Sequence, residues 1–239
     1  MSLVRLDKYL SSTGEYSRSE AKVLLKAGRV TLDGISVTNG DIKIDSDTSQ
    51  VYVDGNKIGY SAHYYIMMNK PAGVLSATED SRDRTVLDLL SPKYRRLELF
   101  PAGRLDKDTE GLLILTDDGE FCHNVISPNK KVTKVYYAEV IGQLDPRCID
   151  MFREGITLAD GYKCRPAELE ILSDSGKNAC IVRVGEGKFH QVKRMISACN
   201  CQVSYLKRLK IGGLDLDPDL PAGGYRELDD SEVKAVLEG

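Results

Sequence analysis

Six acidic residues crowd into PAGRLDKDTEGLLILTDDGE, residues 101 to 120, and Asp106 and Asp108 stand just before the apolar run GLLILT. Neither helical nor strand periodicity asks for a carboxylate at position 106. A carboxylate in such a loop can cap a turn, share a metal ion with its neighbours, or act on a substrate as nucleophile or base. Turn capping is the commonest of these roles. A metal-dependent nuclease built on Asp106, Asp108, Asp117 and Asp118 is the alternative that acid count alone offers. The six cysteines (Cys122, Cys148, Cys164, Cys180, Cys199, Cys201) form no C-x-x-C pair, so neither a zinc site nor a disulfide framework is signalled. No Gly-rich nucleotide-binding turn of either common type is present. The expected cofactor and metal complement is therefore none.

Charge is unevenly spread. The formal net charge of −3 argues weakly against a nucleic-acid partner, but residues 188–210 carry Lys188, Lys193, Arg194, Lys207, Arg208 and Lys210 with no acid. The balancing carboxylates lie in residues 213–239. No apolar run approaches a membrane span and the first residues are charged where a signal peptide is apolar, which leads to a cytoplasmic protein with no membrane partner. Monomer is the default.

The elements that must position these groups divide into two expected domains, 1–58 and 59–239. In the first, RLDKYLSSTG reads as a short helix. SRSEAKVLLKAGR reads as a second, with Ser17 and Glu20 forming a capping box and Gly28 ending it. RVTLDGISV and QVYVDGNKI place Asp-Gly between β-prone residues, the signal for tight hairpins. Arg18, Lys22, Lys26 and Arg29 recur at helical spacing, consistent with a solvated face or with phosphate binding. KIGYSAH, 57–63, reads as the linker. The second domain reads as strand YYIMMNK, helix TVLDLLS, the acidic loop, strand GLLILT, helix EFCHNVIS, strand KVYYAEVIG, helix DPRCIDMFREG, strands PAELEIL and NACIVRV, helix HQVKRMISACN and strand VSYLKRLKI. Strands outnumber helices and often follow one another directly, which predicts an α+β fold with a largely antiparallel sheet flanked by helices.

RLDKYLSSTGEYSRSEAKVLLKAGRVTLDG resembles the alpha-L RNA-binding domain found in a small-subunit ribosomal protein and several RNA-modifying enzymes. The resemblance implies that Arg5, Lys8, Ser17, Arg18, Lys22 and Arg29 lie on or near an RNA face. NKPAGVLS, AGRLDKDTEGLLILTDDGE, KVYYAEV and GEGKFHQVKRM, in that order, are similar to the motifs of the RsuA-like ribosomal RNA pseudouridine synthases. That resemblance implies Asp106 as the catalytic carboxylate, Tyr136 as the residue that packs against the target uracil, and Lys193 as the basic partner of the aspartate. It also implies that Asn69, Lys70, Pro71 and Gly73 support the site, that His190 and Gln191 are structural, and that Arg104, Lys188 and Arg194 approach RNA. Tyr137 is the rival of Tyr136, but successive strand residues face opposite sides. An ionised aspartate in a dry pocket calls for an adjacent cation, and an aromatic face suits a detached base.

The expected function is conversion of a uridine to pseudouridine in small-subunit (16S) ribosomal RNA, with the RNA or an assembly intermediate as partner. Large-subunit (23S) RNA as substrate, or a non-catalytic RNA-binding assembly factor, are the alternatives. The presence of Asp106, Tyr136 and Lys193 together weighs against the last.

Overall fold

The computed structural model describes residues 3–172 and 178–238. Two compact units are present: one ends at Tyr64 and takes in Leu90–Leu99, and the other comprises Tyr65–Leu89 and the chain from Phe100 on.

The first unit holds strand β1 (Leu3–Arg5), helices α1 (Leu6–Ser12) and α2 (Arg18–Lys26), and strands β2 (Val30–Leu32), β3 (Ile35–Ser36), β4 (Lys43–Asp45), β5 (Val51–Val53) and β6 (Asn56–Ile58). Helix α2 starts at the Ser17 capping box: the Ser17 hydroxyl accepts from Glu20 N at 3.2 Å, and Ser17 N donates to Glu20 Oε2 at 2.7 Å. Both Asp-Gly pairs turn as the sequence predicts. Asp33 and Gly34, then Asp54 and Gly55, all have φ between 50° and 84°, the left-handed backbone that a two-residue hairpin of this hand requires. Leu6, Leu10, Leu25, Val30 and Val51 close the core of this unit with under a few per cent exposure. The excursion 90–99 carries helix α3 (Pro92–Arg95), and its Arg96 guanidinium donates to Glu15 O at 2.7 Å.

The second unit is built on a nine-stranded sheet. Its strands are β7 (Tyr65–Lys70), β8 (Phe100–Pro101), β9 (Glu110–Thr116), β10 (Lys134–Ile141), β11 (Glu168–Leu172), β12 (Ala179–Val184), β13 (Gln202–Ile211), β14 (Leu214–Asp215) and β15 (Tyr225–Glu227). The main order is β11-β12-β10-β13-β9-β7-β15, with β14 on β13 and β8 on β9. All pairings are antiparallel except that of β9 with β13. Helices α4 (Gly119–Ile126), α5 (Arg147–Glu154), α6 (Gln191–Ala198) and α7 (Asp230–Leu237) cover it. One core gathers β10, β12, β13, α5 and α6 around Phe152, Val182, Met195 and Ile196; another gathers β7, β9, α4 and α7 around Met67, Leu112, Ile114 and Phe121. The continuous apolar run GLLILT becomes a strand buried along almost its whole length, as a strand covered on both faces must be.

The segment TVLDLLS differs from expectation. It forms only a 3-10 turn, Val86–Leu89, whose start is tied by Asp88 Oδ2 accepting from Thr85 N at 2.7 Å. The run is too short to propagate an α-helix and Pro92 follows at once. The C-terminal strands β14 and β15 carry too little apolar patterning to stand out in the sequence, and they form because β13 and β7 offer them edges, while α7 starts at an Asp229–Glu232 capping box.

Candidate active site

Where β9 and β13 run parallel, the two cores of the second unit meet, and a cleft of about 730 Å³ opens between them. That size suits a nucleotide-sized ligand. Asp106, Arg104, Tyr136, Lys188, His190 and Arg208 all line it, together with apolar Val125, Val184 and Leu206.

Asp106 sits in the turn between β8 and β9, and the turn is stapled from the end of β7. Lys70, with no exposed surface, aims its ammonium at four carbonyls: Pro71 O at 3.0 Å, Asp106 O at 3.1 Å, Lys107 O at 3.3 Å and Thr109 O at 2.9 Å. Burial pushes the Lys70 amine down to about 8. Gly73 N donates to Lys107 O at 2.7 Å, and the buried Ser76 hydroxyl bridges Leu105 by donating to its carbonyl at 2.9 Å and accepting from its amide at 3.1 Å. The backbone around Asp106 is thus held from outside by NKPAGVLS, a segment some 30 residues earlier in the chain. Its side chain, left 26% exposed, faces the cleft.

Lys193, on α6, reaches across to Asp106 Oδ2 at 3.1 Å and to Asp108 Oδ1 at 2.6 Å. Burial works against its charge, but the hydrogen bonds and ion pairs with Asp108 and Asp106 outweigh it and hold the ammonium above the ordinary lysine range. The hydrogen bond from Lys193 correspondingly lowers Asp108. The lysine is therefore shared between a cleft-lining carboxylate and an exposed one. His190 Nε2 stands 3.6 Å from Asp106 Oδ1.

Tyr136 on β10 lies opposite Arg208 on β13 in the strand register. The Arg208 guanidinium sits 5.9 Å from the Tyr136 ring centre, and its Nη1 is 3.4 Å from the tyrosine hydroxyl. Tyr137 turns away, as strand alternation requires. Its hydroxyl donates to Glu139 at 3.2 Å and its ring meets Tyr205 edge-on.

Sequence reading did not single out several groups that shape this cleft. Arg208 is 4% exposed; its Nε donates to Leu112 O at 2.7 Å, while Nη2 is buried with no hydrogen-bond partner among the described residues. The close approach that permits this depends on Gly111, at φ 100°, where an added Cβ would stand 2.2 Å from Arg208 O. Lys134 donates to Val125 O and Val132 O, both at 2.7 Å, and burial pushes it down to about 8. Glu186, inside the GEGKFHQ motif, is buried and accepts from Tyr162 Oη at 2.8 Å, Arg165 N at 3.0 Å and Gln191 Nε2 at 2.8 Å. Gln191 in turn accepts from Lys188 N at 2.8 Å, so a buried carboxylate anchors the loop that leads into α6. Periodicity has no means of flagging a buried Lys, Arg or Glu, because its partners are set by distant backbone.

The remaining predicted residues are dispersed. Lys188 is exposed with its ammonium 5.0 Å from the Tyr162 ring centre, and Arg194 pairs with Asp160 at 2.5 Å rather than lining the cleft. In the first unit Lys8, Arg18 and Lys22 are exposed on α1 and α2. Arg5 pairs with Asp7 and Asp41. Ser17 uses its hydroxyl on the helix cap. Arg29 falls beyond the end of α2 and its guanidinium pairs with Asp54, so the expected basic stripe is shorter than helical spacing implied. Asp118, one of the acids of the nuclease alternative, caps α4 and accepts from Tyr65 Oη at 2.7 Å. Among the described residues no group of three or more His, Cys, Asp or Glu is placed to hold a metal ion.

The family model described as RNA pseudouridylate synthase matches residues 64–198, and that of the S4 domain matches residues 4–47. A Bacillus subtilis protein named as an uncharacterized RNA pseudouridine synthase, YtzG, is 47% identical over 236 residues, spanning 98% of this chain and 99% of that one. The ribosomal small subunit pseudouridine synthase A of Vibrio cholerae is 39% identical over 234 residues, with 98% and 99% covered. A crystal structure of a pseudouridylate synthase superposes with a TM-score of 0.68 at 32% identity over 98% of this chain and 99% of that one. With a cleft lined by the carboxylate and the tyrosine implied by its motifs, with the implied lysine paired to that carboxylate from α6, and with these likenesses along almost its whole length, the chain belongs to the RNA pseudouridine synthases, in the RsuA-like family that carries an S4 domain.

Proposed function

We propose that this enzyme isomerises one uridine of small-subunit ribosomal RNA, free or in an assembly intermediate, with Asp106 as the reacting carboxylate, Lys193 as its cation and Tyr136 as the face against which the uracil rests. The observation that carries the assignment is the 3.1 Å pairing of Lys193 with Asp106, the carboxylate that lines the cleft. Relatives named as small-subunit enzymes, 39% and 37% identical over 98% of the chain, support the choice of RNA.

The reaction breaks the bond between N1 of uracil and C1′ of ribose and joins C5 to the same carbon. The C5 proton leaves, N1 gains one, and nothing is oxidised, hydrolysed or added. An ionised oxygen beside the ribose serves this chemistry either as nucleophile at C1′ or as base at C2′. The detached base must be held while its tether is broken, and the Tyr136 ring, backed by Arg208, offers the flat surface for that. The Arg5, Lys8, Ser17, Arg18, Lys22 and Arg29 region of an RNA-binding domain ending near residue 58, with Arg104, Lys188 and Arg194 of a catalytic domain from residue 59 on, supplies phosphate contacts in this reading. A monomeric cytoplasmic enzyme without cofactor is sufficient for it.

Asp106→Asn tests the assignment. It keeps the side-chain shape and removes the charge, so the variant folds, binds small-subunit RNA as the parent does, and forms no detectable pseudouridine. Loss of a covalent catalyst or base costs at least about two orders of magnitude, so turnover within about tenfold of the parent overturns it. Pseudouridine mapping in both ribosomal RNAs tests the substrate: modification of large-subunit RNA alone refutes the small-subunit choice.

A further inference from the structure

The loop between β12 and α6 presents Phe189 at the mouth of the cleft with 73% of its surface exposed, the highest figure for a large apolar side chain among the described residues. Hydrophobicity alone would fold such a ring inward. The loop prevents it. Glu186 and Gln191 lock one another, Gln191 N donates to Lys188 O at 3.1 Å, and the Phe189 ring stacks on His190 with centroids 3.8 Å apart and planes inclined by 18°. His190 holds φ at 50°, a left-handed backbone uncommon for a residue with a side chain, and its Nε2 lies 3.6 Å from Asp106 Oδ1. One face of a two-ring stack is therefore fixed beside the reacting carboxylate, and the outer face of Phe189 points to solvent.

The surroundings indicate what that face takes. A single ring that follows exposed Lys188 in the chain, and whose backbone carbonyl lies 3.5 Å from Arg194 Nη1, is no apolar protein-docking patch. Aromatic faces set among cations are how proteins bind unpaired nucleobases, because every base has a π-face and the cations neutralise its phosphate. A uridine turned out of its strand leaves its neighbours unstacked. Resting on the functional reading above, we propose that the Phe189–His190 stack is a second base-binding site, which receives an unpaired nucleobase adjacent in the RNA to the target uridine. It lies outside the position of the target uracil on Tyr136 and helps to set which sequence context is accepted.

The chain contains no tryptophan, so Phe189→Trp places a single indole at the platform. The probe is unmodified small-subunit ribosomal RNA transcribed in vitro. Indole emission should be quenched as the RNA binds, with affinity close to that of the parent. Phe189→Ala should weaken binding about five- to one-hundredfold, the range for one lost base–aromatic stack, and Phe189→Leu should fail to restore it because it supplies apolar surface without a π-face. Ile141→Ala, which trims another exposed apolar side chain far from the cleft lining, is the control for nonspecific loss of apolar surface and should bind as the parent does. Unquenched emission in the RNA complex, or a leucine variant that binds as tightly as the parent, overturns the proposal. Because binding and quenching are read without turnover, the two readings fail separately. If pseudouridine forms only in large-subunit RNA, the substrate assignment falls, and quenching by that transcript upholds the platform while its absence sinks it.

Discussion

Lys70→Met is the most informative perturbation of the scaffold, because it tests whether one buried ammonium holds the turn that carries Asp106. The lysine donates to four carbonyls, three of which belong to the 106–109 turn, at 2.9 to 3.3 Å. A hydrogen bond from a charged donor contributes roughly 1.5–3 kcal/mol, so the three turn contacts together supply about 5–9 kcal/mol. Two effects offset most of it: removing a buried ammonium relieves a desolvation cost of several kcal/mol, and Lys107 and Asp108 leave the turn open to water that can satisfy its freed carbonyls. The net loss of stability is then about 1–3 kcal/mol. Activity suffers more, since a displacement of about 1 Å in a reacting group costs on the order of 10²-fold. The assays are thermal unfolding and the single-turnover rate of pseudouridine formation, each followed from pH 6 to 10. Lys70, pushed down to about 8 in the folded enzyme, loses its proton and a donor as pH rises through that value, so the parent's rate should fall on the alkaline side with an apparent pKa near 8. Stability should move oppositely. Between about pH 8 and the model-peptide lysine value near 10.4 the unfolded chain binds more protons than the folded one, so the contribution of Lys70, and of Lys134 likewise, rises with pH over that window. A Lys70→Met enzyme that keeps its rate within about threefold refutes the account.

Asp108→Asn frees Lys193 for Asp106 alone; with its side chain 75% exposed, the carboxylate contributes less than about 1 kcal/mol, and the rate should stay within about fivefold of the parent. A loss as deep as that of Asp106→Asn, measured by single turnover, would place the chemistry on the wrong carboxylate. Gly111→Ala meets Arg208 O at 2.2 Å from a left-handed backbone, so it should lower stability by about 3 kcal/mol or more in denaturant titration. A midpoint unchanged within error would show that β9 and β13 can part without cost.

Local features of this chain were legible because they depend on neighbours in sequence. Ser17 and Glu20 are three residues apart, so their reciprocal cap can be read from the string; Asp33-Gly34 and Asp54-Gly55 demand left-handed backbone wherever they occur; and the alternation of Tyr136 and Tyr137 follows from the strand pleat. The motif order around Asp106, Tyr136 and Lys193 likewise lies in the sequence, and it indicated the family. What the sequence left undetermined are contacts between residues far apart. The hold of Lys70 on Thr109 spans 39 residues, that of Arg208 on Leu112 spans 96, and the bond from Lys193 to Asp108 spans 85. A buried cation has no periodic signature, since its partners are backbone carbonyls that every residue carries, and only the folded path decides which carbonyls turn toward it. The same reason explains why Arg29 left the basic stripe for Asp54, why residues 90–99 joined the first unit, and why Phe189 stands exposed at the cleft that Asp106 lines. Sequence determined most of the local elements and the motif residues; tertiary structure decided which charges are shared, which are buried, and which ring is left exposed at the cleft.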